Sequence, residues 1–244
     1  MGVGAQTVLS SLPRRVAQAE VASLQRAYPR SARLEAYQLE GIEAPTAATA
    51  QRMEALVRRD PWHLPSRLTL LRHAIAVGES TRFQAAADAA AALAEHVHGL
   101  VQKRAAMPPL DAHFVLGSAA EQLYEQARAR LGPRNVASAA TKTLFAASAQ
   151  LQRTARQLLL RVDQRKHQDD ASGAGPSGPT ALPREHRAAW LDSTRSEAVS
   201  SYAAGARDAT RACIEQLNAI PHDGVDNVAT EARALAKALL RGLD

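Results

Sequence analysis

The sequence predicts an all-α protein in which helical hairpins stack as a repeat array, followed by C-terminal helices. Hydrophobic residues make up 46% of the 244 residues but aromatic residues only 4%, and alanine is the commonest apolar residue. Alanine is the best helix former and is depleted in strands. Apolar residues recur at helical spacing along the chain, whereas the sequence has no Asn-Gly hairpin and no sustained period-two alternation.

The predicted helices follow one another with short breaks between them. Ser31 precedes one apolar run as an N-cap residue, whose side-chain oxygen accepts a hydrogen bond from the first turn. Thr46 or Thr49 begins the next helix. Pro29 and Pro61 end the preceding helices, because a proline inside a helix removes a hydrogen bond and clashes with the turn before it. The predicted ranges are 13–27, 31–42, 46–60, 64–77, 80–103, 112–131, 136–165, 184–218 and 225–241.

A segment rich in glycine, proline and serine divides these helices into two groups. Residues 169–183 read DDASGAGPSGPTALP, a composition that is typical of a flexible linker and cannot hold a helix. We therefore predict a helical repeat domain over residues 1–168. A C-terminal helical segment over residues 184–244 is expected to pack on the repeats.

Proline-led starts recur near the N-terminus at a regular interval. Tyr28-Pro29 precedes one apolar run and Asp60-Pro61 precedes the next, so that the two prolines are 32 residues apart. This interval is close to the period of about 34 residues in tetratricopeptide repeats. Each such unit is a helical hairpin that buries its apolar face only against its neighbours, and the stack presents a concave surface. The spacing predicts a tetratricopeptide-like solenoid.

The charge of the chain leaves several classes of partner open. The formal net charge is +6, and arginine supplies nearly all of the positive charge. Such a balance is typical of proteins that meet nucleic acids, anionic membranes or acidic partners, and it also arises from the alanine and arginine bias of a GC-rich genome. The arginines are scattered and form no basic tract, so we predict no nucleic-acid partner.

The single cysteine and the hydropathy pattern bear on the cellular compartment of the protein. Cys213 has no second cysteine to pair with, which favours a reducing environment. No window approaches the roughly 20 apolar residues that a membrane span needs, so we expect no transmembrane segment. Residues 1–33 are rich in arginine and contain one acid, Glu20. A mitochondrial presequence is therefore an alternative for this region.

Residue patterns that would indicate catalysis or metal binding are weak. His96 and His98 are two positions apart and would point to different faces of a helix, so they are poorly placed to share a metal. Cys213 lies in a helical pattern and is expected to be a small buried hydrophobe rather than a nucleophile. The sequence has no phosphate-binding loop of the nucleotide-binding types. We predict a protein that is not an enzyme and has no metal, cofactor or catalytic residues.

Three segments resemble subunit 2 of the endoplasmic reticulum membrane protein complex. Residues 28–44 are similar to that family's aromatic-Pro-x-Ser-x-Arg turn and the helix after it. Residues 55–79 resemble its helix ending in Asp-Pro, followed by a basic helix that closes on Ala-x-Gly. Residues 129–151 resemble its Arg-Asn segment and the Leu/Phe-x-Ala-Ala-Ser helix. The chain departs from the family in having fewer predicted helices between the second and third segments, and residues 169–183 have no counterpart.

The resemblance implies a divergent and compact scaffold subunit that is peripheral to the cytosolic face of the endoplasmic reticulum. Its partners would be the cytosolic parts of membrane subunits and a second soluble subunit. The assembly would support the insertion of tail-anchored and multipass membrane proteins. The residues that carry the repeat junctions are Tyr28, Pro29, Ser31, Arg33, Gly41, Asp60, Pro61, Trp62, Gly78, Arg134 and Asn135.

Two questions stay open from the sequence alone. The chain could instead be a generic helical-repeat adaptor in another assembly, including a mitochondrial one. Trp62 could pack between repeats or could anchor a partner, since tryptophan, tyrosine and arginine dominate the binding energy of protein interfaces.

Overall fold

A computed structural model describes most of the chain. The described residues are 20–21, 23–24, 26–28, 31–42, 44–77, 83–102, 107–132, 136–169, 182–219 and 227–243. These residues form helices and connecting turns and contain no strand, which confirms the predicted all-α class. The described residues between 20 and 27 are helical, as predicted.

Helices with defined bounds begin at residue 32. In chain order they are α1 (Ala32–Glu40), α2 (Ala47–Arg59), α3 (Leu64–Val77), α4 (Gln84–Gln102), α5 (Pro109–Arg128), α6 (Ala139–Asp169), α7 (Arg184–Ala204), α8 (Arg207–Asn218) and α9 (Asn227–Leu243).

The chain forms two compact units, one of residues 1–77 and one of residues 78–244. The two units divide after Val77. The predicted domains over residues 1–168 and 184–244 stay a prediction. Helices α6 and α7, which flank those residues, pack on each other within the second unit. Residues 170–181 lie outside the described part of the chain, so their role as a linker stays a prediction.

The first unit is built from α1, α2 and α3, which pack on one another around a small core. The buried residues of that core are Ala36, Leu39, Met53 and Leu56. The predicted Ser31 cap is confirmed, because its hydroxyl accepts a hydrogen bond from the backbone of Leu34. Thr46, one of the two predicted starts of α2, is its N-cap and forms a reciprocal capping box with Thr49. These caps satisfy backbone N–H groups that have no partner within the helix.

In the second unit, α4 to α9 pack in the order in which they occur. Extensive contacts join helices that are one or two positions apart in the chain, and α6 lies against α4, α5 and α7. This pattern is consistent with helical repeats, in which each element contacts mainly its neighbours. The finer prediction of a tetratricopeptide-like solenoid stays a prediction.

One predicted helix is wrong in its extent. Residues 184–218 form two helices, because α7 ends at Ala204 and Gly205 adopts a left-handed conformation with a φ of 81°. Glycine reaches that conformation without a steric penalty and is the usual residue after a helix end. The apolar periodicity continues on both sides of Gly205, which is why the periodicity alone predicts one helix.

Candidate functional site

The predicted junction residues of the first unit lie at helix ends. Arg33 Nε in α1 is 3.1 Å from the Asp60 carboxylate at the end of α2, which ties these two helices together. The Pro61 carbonyl accepts a hydrogen bond from Arg67, at 3.0 Å. Gly41 is the residue that follows α1, with an ordinary negative φ. Of the other predicted junction residues, Pro29, Gly78, Arg134 and Asn135 lie outside the described residues.

Two aromatic residues of the first unit are largely accessible. Tyr28 is 64% exposed and Trp62 is 43% exposed. A tryptophan that only filled a repeat junction would be closer to full burial, because fully buried large side chains make up the cores of both units. The exposure of Trp62 therefore shows that the residue is not fully enclosed by its own unit.

The second unit carries a cleft between α5 and α7, with α6 at its base. Its volume is about 630 Å³, and Leu235 of α9 also lines it. That volume falls in the range of roughly 300–1,000 Å³ that is usual for binding sites of small ligands or a few side chains. We call it the α5–α7 cleft. The residues that line it include His113, Phe114, Glu121, Tyr124, Glu125, Ser148, Gln152, Asp192, Arg195 and Ser200.

The floor of the α5–α7 cleft is polar and mostly hydrogen-bonded. The Ser148 hydroxyl donates to the Ala120 carbonyl at 2.8 Å and lies 3.2 Å from the Ser200 hydroxyl. These bonds tie α6 to α5 and α7, and buried polar groups require them. Gln152 is different: the residue is only 7% exposed, and its amide forms no hydrogen bond with the part of the chain that the structure describes but is not sealed from solvent.

A histidine joins two walls of the cleft. His113 Nδ1 of α5 lies 3.0 Å from the hydroxyl of Ser193 in α7. Ser193 is fully buried. Burial lowers the pKa of His113, and the nearby Asp192 carboxylate opposes that shift. The imidazole is therefore neutral at pH 7 and acts as a hydrogen-bonding strut between the helices.

The rim of the cleft is acidic and aromatic. Glu121, Glu125 and Asp192 supply three carboxylates, and Phe114 is 62% exposed beside them. Among the described residues that line the cleft, Arg195 is the one with a positive charge, and its guanidinium lies 3.4 Å from the Glu231 carboxylate. This rim contrasts with the chain as a whole, which has a net charge of +6.

A buried ionic cluster lies near the cleft within the second unit. The Glu197 carboxylate, 2% exposed, is 2.8 Å from Arg153 and 2.7 Å from Arg156. The Arg156 guanidinium lies over the Trp190 ring, 5.7 Å from its centroid. Burial, and secondarily the Glu197 charge, raise the pKa of the Cys213 thiol to about 12. Cys213 is 1% exposed, which confirms its predicted burial, and the raised pKa holds it as an unreactive thiol.

The histidine pair on α4 is not part of a group of metal ligands among the described residues. His96 is buried and His98 is partly buried on α4. Among the residues that the structure describes, no three histidine, cysteine or acidic side chains come together as a metal site would require. The described helices also include none with the length and apolar character needed to cross a membrane.

The α5–α7 cleft is not predicted by the sequence alone. A weak signal was present, because His113, Gly117, Glu121 and Tyr124 recur at helical spacing on one face of α5. The same is true of Asp192, Ser196 and Val199 on α7, but neither stripe indicates which helix it faces.

Comparisons with known proteins found no family model, no curated protein and no solved structure that matches this chain. The resemblance of residues 28–44, 55–79 and 129–151 to a scaffold family is therefore carried by those residues alone.

Proposed function

We propose that this chain is a non-catalytic scaffold that holds partner proteins on the surfaces of its stacked helices. The observation that carries the proposal is the packing order, in which each helix lies mainly against its sequence neighbours. Such arrays bind by shape and offer extended surfaces to other chains. Accessible aromatic residues, which often anchor interfaces, occur in both units: Tyr28 and Trp62 in the first and Phe114 in the second.

The more specific proposal is a scaffold subunit of the endoplasmic reticulum membrane protein complex. It rests on the resemblance described above, in which two helix starts and the Asp60-Pro61 junction follow the family's order. The described helices fit that reading, since α2 ends at Arg59 immediately before this junction and α3 begins at Leu64. The chain would lie on the cytosolic face of the membrane, bind cytosolic parts of membrane subunits, and support insertion of tail-anchored and multipass proteins.

A generic adaptor in another assembly is the alternative, and a mitochondrial one would follow from the arginine-rich residues 1–33. The two proposals differ in what accompanies the chain and in its N-terminus. A C-terminal affinity tag leaves the N-terminus free, so that one experiment can identify the companions of the chain and also locate its N-terminus.

The test is a pull-down of the C-terminally tagged chain from membranes solubilised in mild detergent. Native sizing and mass spectrometry then identify its companions, and N-terminal peptide mapping locates any cleavage. Recovery in a large assembly with multispanning endoplasmic-reticulum proteins supports the specific proposal. Mitochondrial companions with cleavage before about Leu34 would support the alternative, and recovery of the chain alone would contradict the scaffold function itself.

A tryptophan variant separates the two roles of Trp62 in the same experiment. If the exposed ring anchors a partner, Trp62→Ala lowers partner recovery severalfold while the melting temperature changes little. The matched control is Tyr202→Ala in the second unit, a 39% exposed aromatic residue whose loss should leave those partners in place. A lower melting temperature with unchanged recovery would assign Trp62 to packing alone.

A further inference from the structure

We propose that the α5–α7 cleft binds a basic segment of a partner protein, in which an arginine or lysine stands next to an apolar side chain. This inference deepens the scaffold function and rests on it. Three observations carry it: the charge of the rim, the exposed aromatic surface beside that charge, and a glutamine amide at the base that is open to the cleft and has no hydrogen-bond partner among the described residues.

The charge of the rim selects a cation. Glu121 and Asp192 form no ion pair with any described residue, whereas Glu125 lies 3.4 Å from Arg128 and Arg195 is paired with Glu231. The cleft therefore presents two uncompensated carboxylates on a chain that is otherwise positive. An acidic cleft of this kind attracts a basic segment and repels phosphate groups, which argues against a nucleic acid or an anionic lipid.

The aromatic rim selects an apolar neighbour for that cation. Phe114 is 62% exposed and lies at the cleft together with Tyr124, which is partly buried. Lysine and arginine pack their aliphatic stems along such surfaces, and a guanidinium over a ring gains a cation–π interaction. An apolar residue next to the cation would cover the rest of the Phe114 ring.

The base of the cleft selects a polar backbone. Gln152 is more than nine-tenths buried and lines the cleft, yet it makes no hydrogen bond to the described chain. Its amide offers one acceptor and two donors, which match the N–H and C=O groups of a peptide. The amide keeps contact with solvent through the cleft, so a bound backbone would take the place of water at these groups.

The experiment measures binding of a fluorescein-labelled peptide of alternating arginine and leucine by anisotropy. We expect the purified full chain to bind it, and we expect the same peptide with glutamate in place of arginine not to bind. Glu121→Lys should weaken binding about tenfold, because it replaces an attraction by a repulsion at the rim. Gln152→Leu, which keeps similar volume and removes the amide, should also weaken it severalfold.

Glu215→Lys is the matched control, since it makes the same charge change at an exposed position of α8 outside the cleft. We expect it to bind the peptide as the native chain does. Equal weakening by Glu121→Lys and Glu215→Lys would overturn the proposal, as would failure of the arginine-leucine peptide to bind the native chain. If partners are still recovered in the pull-down by the Glu121→Lys variant at native levels, the scaffold function stands and the cleft is not its site.

Discussion

Replacement of Glu197 by alanine would remove the single anion of a buried cluster. Its carboxylate contacts two arginines, Arg153 at 2.8 Å and Arg156 at 2.7 Å. The two cations differ in their surroundings, because the Arg153 side chain is 38% exposed and the Arg156 side chain only 9%. After the substitution, Arg153 can return to solvent, but Arg156 stays buried without a counter-ion.

The expected loss of stability follows from that asymmetry. Breaking a buried ion pair by removing one partner costs about 3–5 kcal/mol, because it leaves an uncompensated charge. The contact of the Arg156 guanidinium with the Trp190 ring, 5.7 Å away, is the same before and after the substitution and does not offset this loss. Since Arg153 can return to solvent, only one cation is left unpaired, which places the loss at the lower end of the range. We therefore expect Glu197→Ala to lower the free energy of unfolding by about 3 kcal/mol.

Chemical denaturation of the native chain and its variants would measure this loss. The double variant Glu197→Leu with Arg156→Met should recover most of the stability, since no buried charge is then left unpaired. The control is Glu231→Ala, which removes a solvent-exposed pair with Arg195 and should cost less than about 1 kcal/mol. A loss below about 1 kcal/mol for Glu197→Ala, or strictly additive effects in the double variant, would refute the reasoning.

The buried cysteine, the left-handed glycine and the buried histidines each lead to a further prediction. Cys213 should react with a thiol reagent only when the chain unfolds, because it is 1% exposed and its pKa is raised to about 12, and fast labelling of the native protein would contradict this. Gly205→Ala should destabilise by roughly 1–2 kcal/mol in a melting experiment, since its φ is 81° and the added Cβ meets only Lys142 Nζ, at 3.9 Å, so the cost is backbone strain. Burial lowers the pKa values of His73 and His113 from 6.5, so that at acidic pH the unfolded chain binds more protons than the folded chain. The free energy of unfolding should therefore fall as the pH drops below 6.5. A urea midpoint that rises as the pH drops, or the same pH dependence in the His73→Gln variant, would contradict this prediction.

The features that the sequence predicts well are those with a local cause. Helix α2 ends at Arg59 because Asp60-Pro61 follows, and α1 begins after Ser31 because its hydroxyl caps the first turn. Each of these signals acts within a few residues of its own position, so a single sequence contains all the information needed. The helix end at Gly205 is not predicted, because the glycine ends the helix by its left-handed conformation while the apolar pattern around it continues.

The cleft and the ionic cluster have causes that are distant in the chain. Glu197 meets Arg153 across 44 residues, and His113 meets Ser193 across 80. Which helices face each other depends on packing that no local pattern records, so a polar stripe on α5 reads as an ordinary solvated face until α7 is placed opposite. The junction residues that the sequence does single out, Tyr28 and Trp62, turn out to be accessible at 64% and 43%. The sequence shows that these side chains are aromatic and suited to an interface. Whether they pack on a neighbouring helix or stay accessible to a partner depends on their exposure, which is a property of the folded chain.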